Sequence, residues 1–359
     1  MKHCRWGDIC TLEYGKALLD YSVESSEKDM FRVFGTNGPI GWTSTPLCRN
    51  DGIIIGRKGA YRGVHFSPEP FFVIDTAYYL RLATDDINLK WVYYKLLTVD
   101  INRMDVGAAI PTTNRNEFYA LPLSVPSFDK QVKVSDILSA YDDLIDINRR
   151  RIQLLEEAAR LLFREWFVYF RFPGHEKVKI VDGLPEGWKR RLLEDIAEVK
   201  KGRNITFEQA VEGDIPVVGG GLEPTYYHNK ANVSAPVITV SASGANAGFV
   251  NLYDTDIWAS DCSYIDKNST KYVYYVYLGL KSLQTSIFGL QVGAAQPHVY
   301  PKDLNRLRVL IAPDDLCRQF EQLVTPIFDL IRTIKLENQK LAQARDLLLS
   351  RLMSGRIEV

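Results

Sequence analysis

Residues able to grip nucleic acid gather in a few Gly- and Asn-rich stretches of this 359-residue chain. Arg57, Lys58, Tyr61 and Arg62 follow the run Gly52-Ile53-Ile54-Ile55-Gly56, and Thr112, Thr113, Asn114 and Arg115 follow Pro111. Further along, Lys200, Lys201, Arg203 and Asn204 surround Gly202, and Tyr226, Tyr227, His228, Asn229 and Lys230 form one cluster. Gln296, His298, Tyr300 and Lys302 lie beside Pro297 and Pro301. Arginine and lysine suit phosphates and guanine edges, while asparagine and glutamine suit adenine edges. The candidates for contact with double-stranded DNA are Arg57, Lys58, Arg62, Thr113, Asn114, Arg115, Lys201, Arg203, Asn204, Tyr227, His228, Lys230, Gln296 and His298. Such residues also sit on ordinary surfaces, so the case rests on their recurrence in both halves.

No catalytic motif accompanies them. Gly219-Gly220-Gly221 is followed by Pro224, where a phosphate-binding helix should begin, so a turn is expected. The stretch from Gly52 to Gly59 holds no G-K-[ST]. Five histidines make no H-x-x-x-H pair and five scattered cysteines make no C-x-x-C, so neither a metal site nor a disulfide framework is expected. Neither Asn-Pro-Pro-Tyr nor G-x-S-x-G is present, and no cofactor is expected; a composite site from distant carboxylates stays open. Lys plus Arg equals Asp plus Glu at 44 each, which argues against a non-specific coat on nucleic acid but leaves room for a local basic face. No apolar run reaches the roughly 18 residues of a membrane helix, and Met1 to Asp8 lacks a signal-peptide core; a cytoplasmic protein without a membrane partner is expected.

The elements that position these residues occur twice. At about 150 residues per domain the length suggests two globular units. Gly107-Ala108-Ala109-Ile110-Pro111 recurs 186 residues later as Gly293-Ala294-Ala295-Gln296-Pro297. Leu121 to Pro126 resembles Leu307 to Pro313, and Ile9 and Gly15 match Ile196 and Gly202. The same order at nearly constant offset indicates duplication. A 3-4 spacing selects Leu138, Tyr141, Ile145, Asn148, Ile152, Leu155, Ala159, Leu162 and Trp166. Shifted by 186, it selects Val324, Ile327, Ile331, Ile334, Asn338, Leu341, Arg345, Leu348 and Leu352. These are heptad seams of a coiled coil, and Asn148 and Asn338 within them can fix register. A helix packed only on its own domain would leave each seam without a partner. The pairing residues are Leu138, Ile145, Ile152, Leu155, Leu162, Ile327, Ile331, Ile334, Leu341 and Leu348, and the duplication favours antiparallel pairing. The first helix, from about 136 to 167, spans roughly 48 Å, more than one turn of duplex at about 34–36 Å. Between the halves, Pro/Gly clusters at 173–174 and 182–187 read as a linker. The segments 7–125 and 188–312 read as short strands with tight turns, each with one helix, at Leu89 to Val99 and Lys271 to Leu283.

At this point the chain resembles the DNA-specificity (S) subunit of type I restriction–modification systems. The resemblance is carried by Leu184-Pro185-Glu186-Gly187-Trp188, Leu193 to Gly202, Gly293 to Pro297, Leu121 to Pro126 and Leu347 to Gly355, and it runs essentially end to end. The first half lacks the Pro-x-Gly-Trp entry, so its first strand is expected to be trimmed or differently anchored. The resemblance implies an α+β protein with two similar target recognition domains, 1–127 and 188–312. It also implies spacer helices at 128–170 and 313–359, joined through a linker at 171–187, that pair as an antiparallel coiled coil. It implies that the chain catalyses nothing, reads a bipartite DNA target, and docks two methyltransferase subunits, which restriction subunits join. The competing classes are a coiled-coil adaptor that binds protein and a stand-alone DNA-modifying enzyme.

Overall fold

The computed structural model describes residues 1–104, 110–293 and 295–359. The repeated Gly107-Ala108-Ala109 and Ala294 lie outside the described residues. The helices are α1 (Leu89–Leu96), α2 (Arg115–Ala120), α3 (Phe128–Phe167), α4 (Val273–Ser282), α5 (Gln284–Phe288), α6 (Pro301–Asn305) and α7 (Asp314–Met353). The chain forms two units: Met1–Ile147 with Asn338–Val359, and Asn148–Glu337.

In the first unit a four-stranded sheet runs in the order Cys10–Tyr14, Ala77–Leu82, Gly52–Gly56, Val64–Ser67, all antiparallel. A three-stranded sheet runs Gly38–Thr43, Phe31–Gly35, Phe71–Val73, the last pair parallel. The run Gly52-Ile53-Ile54-Ile55-Gly56 is buried throughout because both faces are covered. Strand alternation sends Ile53 and Ile55 into the main core with Trp91, Phe118 and Leu138, and Ile54 into a smaller cluster with Phe34, Phe71 and Val73.

The second unit repeats this plan. Its four-stranded sheet runs Lys200–Lys201, Cys262–Ile265, Val237–Ser241, Val250–Tyr253, and its three-stranded sheet Tyr226–His228, Ile215–Val218, Trp258–Ala259, again with a parallel last pair. Ile238 and Val240 enter one core and Val237 the other. Each unit also has a two-stranded ribbon, Lys2–Arg5 with Pro122–Val125 and Lys189–Leu192 with Arg308–Ile311. The first strand is therefore neither trimmed nor differently anchored. Lys2 is the counterpart of Lys189, and the strand's backbone is held by Pro122–Val125 as that of Lys189–Leu192 is held by Arg308–Ile311.

The repeated glycines have a steric cause. A Cβ on Gly15 would stand 2.0 Å from the Ile74 carbonyl oxygen, and one on Gly202 would stand 2.3 Å from that of Ser260. Their amides donate to Ala77 and Cys262 at 3.1 and 2.8 Å, and the next amides, of Lys16 and Arg203, donate to Val73 and Ala259 in the neighbouring sheet. Each glycine thus lets one chain cross between two sheets.

The long helices pair antiparallel within each unit. In the first, Asp142 meets Arg345 at 2.5 Å and the Asn338 amide donates to the Ile145 carbonyl at 3.4 Å. In the second, Glu156 shares a cleft with Phe328 and Ile331, while Phe163 and Trp166 pack on Phe320. Leu138, Ile145, Ile331 and Ile334 are buried; Ile152, Leu155, Leu162, Ile327, Leu341 and Leu348 are half-buried. Asn148 is fully buried, with Arg151 donating to its Oδ1. Phe163, Phe167, Phe320 and Phe328 widen the seam toward the domain core. α3 begins at Phe128 rather than 136, because its first turns dock through polar residues: Gln131 accepts from the Asn88 amide and Ser135 donates to the Asn88 side chain, which caps α1. In the second unit Glu321 of α7 accepts from the amides of Tyr274 and Tyr275 at 3.0 and 2.9 Å and so caps α4. Residues 171–187 are no open linker. Phe172 and Trp188 are buried against each other at 5.5 Å, and Ile180–Val181 pairs with Leu184–Pro185 through a turn at Asp182 and Gly183.

Gly202→Ala is expected to destabilise the protein by about 1–3 kcal/mol, because carbonyl groups cannot swing aside as a side chain can. Gly279→Ala, in mid-helix with only the Phe163 ring within 4 Å, is expected to be neutral or stabilising by up to about 1 kcal/mol. Thermal melting of the two variants checks both. Glu321→Ala should cost about 0.5–2 kcal/mol by uncapping α4, and Glu321→Gln, which keeps one acceptor, should lie between it and the parent in the same melts.

Candidate nucleic-acid interface

In the first unit, chain segments distant in sequence converge after the strand Gly52–Gly56. The Gly59 amide donates to Pro111 and the Thr113 amide to Arg57, so the segment after Ile110 runs back along Arg57 to Gly59. Lys58 and Thr112 face each other as a bridge. The exposed Tyr14 ring lies beneath two guanidinium groups, Arg57 at 4.6 Å and Arg115 at 4.4 Å. Arg57 donates to the Asp75 carbonyl and Arg115 to the Leu12 carbonyl. Two planar forks are thereby held before any ligand arrives, and a guanidinium fork matches a phosphate or a guanine edge. Below them Tyr78 packs on Tyr14 at 5.1 Å, and burial raises its phenol pKa despite the arginines.

Three first-unit candidates belong to the framework instead. Arg62 is 2% exposed and donates to the carbonyls of Ile101, Asn102 and Met104. Thr113 is 0% exposed, its hydroxyl on the Gly56 carbonyl. Asn114 is half-buried and its side-chain oxygen caps α2 through the amides of Asn116 and Glu117. Arg57, Lys58 and Arg115 remain presented together. Tyr14 was not a candidate, since within Cys10–Tyr14 it reads as an ordinary strand residue.

In the second unit His228 is a further correction. It is 6% exposed, its ring Nδ1 accepts from the Val211 amide, and its ring stands nearly perpendicular to that of Trp258, 5.0 Å away. Lys201, Arg203, Asn204, Tyr227, Lys230 and Gln296 are exposed, and His298 is half-buried. Trp258 Nε1 donates to the Arg203 carbonyl and the Tyr226 hydroxyl to that of Ile205, which ties the loop after Gly202 to the three-stranded sheet. His298 stacks on Tyr300 with 14° between the rings, and its backbone bridges Ser243. Gly219 to Gly221 form the turn between Ile215–Val218 and Tyr226–His228, as expected, and no helix follows.

Among the described residues no group of three or more His, Cys, Asp and Glu could hold a metal ion, and no helix is long and apolar enough to cross a membrane. Burial pushes the thiols of Cys10 and Cys262 up to about 12, away from a reactive thiolate.

The two units hold different chemistry on equivalent backbone. Gly244 donates to Pro297 as Gly59 does to Pro111. Arg57 and Lys58 therefore correspond to Ala242 and Ser243, and Tyr14, just before Gly15, corresponds to Lys201.

A family model described as the type I restriction modification DNA specificity domain matches residues 1–157 and 185–345. The MjaIX type I restriction enzyme specificity subunit of Methanocaldococcus jannaschii is 25% identical over 310 residues, covering 77% of this chain and 71% of that protein. The HindI specificity subunit of Haemophilus influenzae is 22% identical over 338 residues, covering 70% and 72%. The crystal structure of a type I restriction–modification S subunit from M. genitalium has the same fold, with a TM-score of 0.63 at 19% identity over 98% of this chain and 95% of that one. Matched in both of its repeats, the chain belongs to the type I restriction–modification DNA specificity domain family, that of the S subunits.

Proposed function

We propose that this chain is the non-catalytic subunit that reads a bipartite DNA target, one half-site per unit, and recruits methyltransferase subunits, two in number, and restriction subunits in the cytoplasm. The observation that carries the reading is the repeated framework with unlike loops: Tyr14, Arg57 and Lys58 in one unit stand where Lys201, Ala242 and Ser243 stand in the other. Equal frameworks with unequal surface chemistry suit two different half-sites. Lys201, Arg203, Asn204, Tyr227, Lys230, Gln296 and His298 are the second unit's proposed contacts. Recruitment is supported by a second apolar stripe on α3. Leu154 and Leu161, with Val168 just past the helix end, recur every seven residues yet stay 46–53% exposed, beside the buried seam rather than in it. A helix with two apolar faces suits a bundle with further helices.

Replacing residues 7–125 with those of a relative should change one half of the methylated motif and leave the other, as mapped by sequencing of methylated bases in cells; a change in both halves overturns the reading. Arg57→Ala with Arg115→Ala should weaken DNA binding at least about tenfold and reduce the slope of log affinity against log salt by about two, as titrations across a salt series would show. Melting should change little, since each arginine's stacking on Tyr14 is worth about 0.5–1 kcal/mol.

A further inference from the structure

A cleft of about 400 Å³ opens in the second unit, floored by Phe163, Phe167, Tyr275 and Leu280. Its rim carries Arg190 and Arg308. Both are exposed, and they lie on one face of the ribbon, since Arg190 pairs with Leu310 and Leu192 with Arg308. No Asp or Glu lines the cleft, and neither guanidinium has a hydrogen bond or ion pair among the described residues. Val168, which follows the last residue of α3 and continues the spacing of its exposed stripe, forms part of the wall. The first unit has a counterpart of about 410 Å³, floored by Trp91, Leu352 and Met353 and rimmed by Lys95 and Lys130. There the segment Ile357-Glu358-Val359 lines the space, with Ile357 and Val359 packed on the core. Apolar side chains of the chain itself thus already line this type of cleft, while Glu358 between them is exposed and forms no ion pair with either lysine among the described residues.

We propose that the second-unit cleft binds a segment of the methyltransferase subunit in which apolar side chains flank an Asp or Glu: apolar groups fill the aromatic floor and the carboxylate bridges Arg190 and Arg308. The inference rests on the recruitment reading above and gives it a specific seat. Apolar floor and unpaired cations together favour such a peptide over DNA, which would use the cations alone.

The test uses the full chain and the purified methyltransferase subunit of the same system. Arg190→Glu with Arg308→Glu should raise the dissociation constant for that subunit at least about tenfold near 0.1 M salt, with a smaller effect at high salt, and leave the melting temperature unchanged. A photo-crosslinking residue at the exposed Ser282 should capture an acidic segment of the methyltransferase subunit, identified by mass spectrometry. The cleft proposal fails, with recruitment intact, if the parent and double variant bind the subunit equally. It also fails if the crosslinker captures a second copy of this chain, or if the double variant loses DNA but not the subunit. If the parent chain does not bind the subunit at all, the recruitment reading falls and this proposal with it.

Discussion

Neither sheet domain can bury its apolar face alone, and the long helices make up the deficit. In the second unit Phe163 and Phe167 from one helix and Phe320 from the other surround Tyr275 of α4, with ring centroids 4.8–6.3 Å apart. In the first, Leu138 of α3 and Leu349 and Leu352 of α7 join the core that holds Trp91 and Val92. Aromatic packing of this kind is worth more than its area alone. Since each core takes residues from both helices, the helix pair is part of each domain's interior. The capping contacts repeat the dependence in polar form, with Gln131 and Ser135 in one unit and Glu321 in the other holding the start of the domain's own helix.

That arrangement separates framework from surface. The chain crossings at Gly15 and Gly202 and the hydrogen bonds from the Gly59 and Gly244 amides to the carbonyls of Pro111 and Pro297 are made by backbone atoms. Backbone contacts fix the path of the loops without dictating their side chains. Two copies of one domain can therefore keep a common interior and diverge where Tyr14 and Lys201, or Arg57 and Ala242, face outward.

Much of this was legible in the sequence, because a duplication at constant offset and a heptad seam are properties of residue order alone. Strand runs such as Gly52-Ile53-Ile54-Ile55-Gly56 were legible for the same reason. The seam's wider flank, Phe163 and Phe320, was not, since a strict 3-4 register selects one residue where a core-facing helix buries a broader stripe. The site was legible by residue type but not by direction. Arg62, Thr113 and His228 have the right chemistry for DNA, yet their side chains turn inward to carbonyls and amides that only the tertiary fold brings near. Tyr14 has no sequence mark at all; its role follows from two arginines more than forty residues away.

The first unit is assembled from two stretches of chain with the whole second unit between them. Its core is closed by Leu349 and Leu352, so the loop that must close spans every residue of the other unit. Loop-closure entropy grows only slowly with length, so the equilibrium penalty is modest, but the order of events changes. Domains ordinarily mature from the amino terminus as the ribosome delivers them. Here the second unit has all of its residues in hand before the first does, and the domain translated first is the last to be completed.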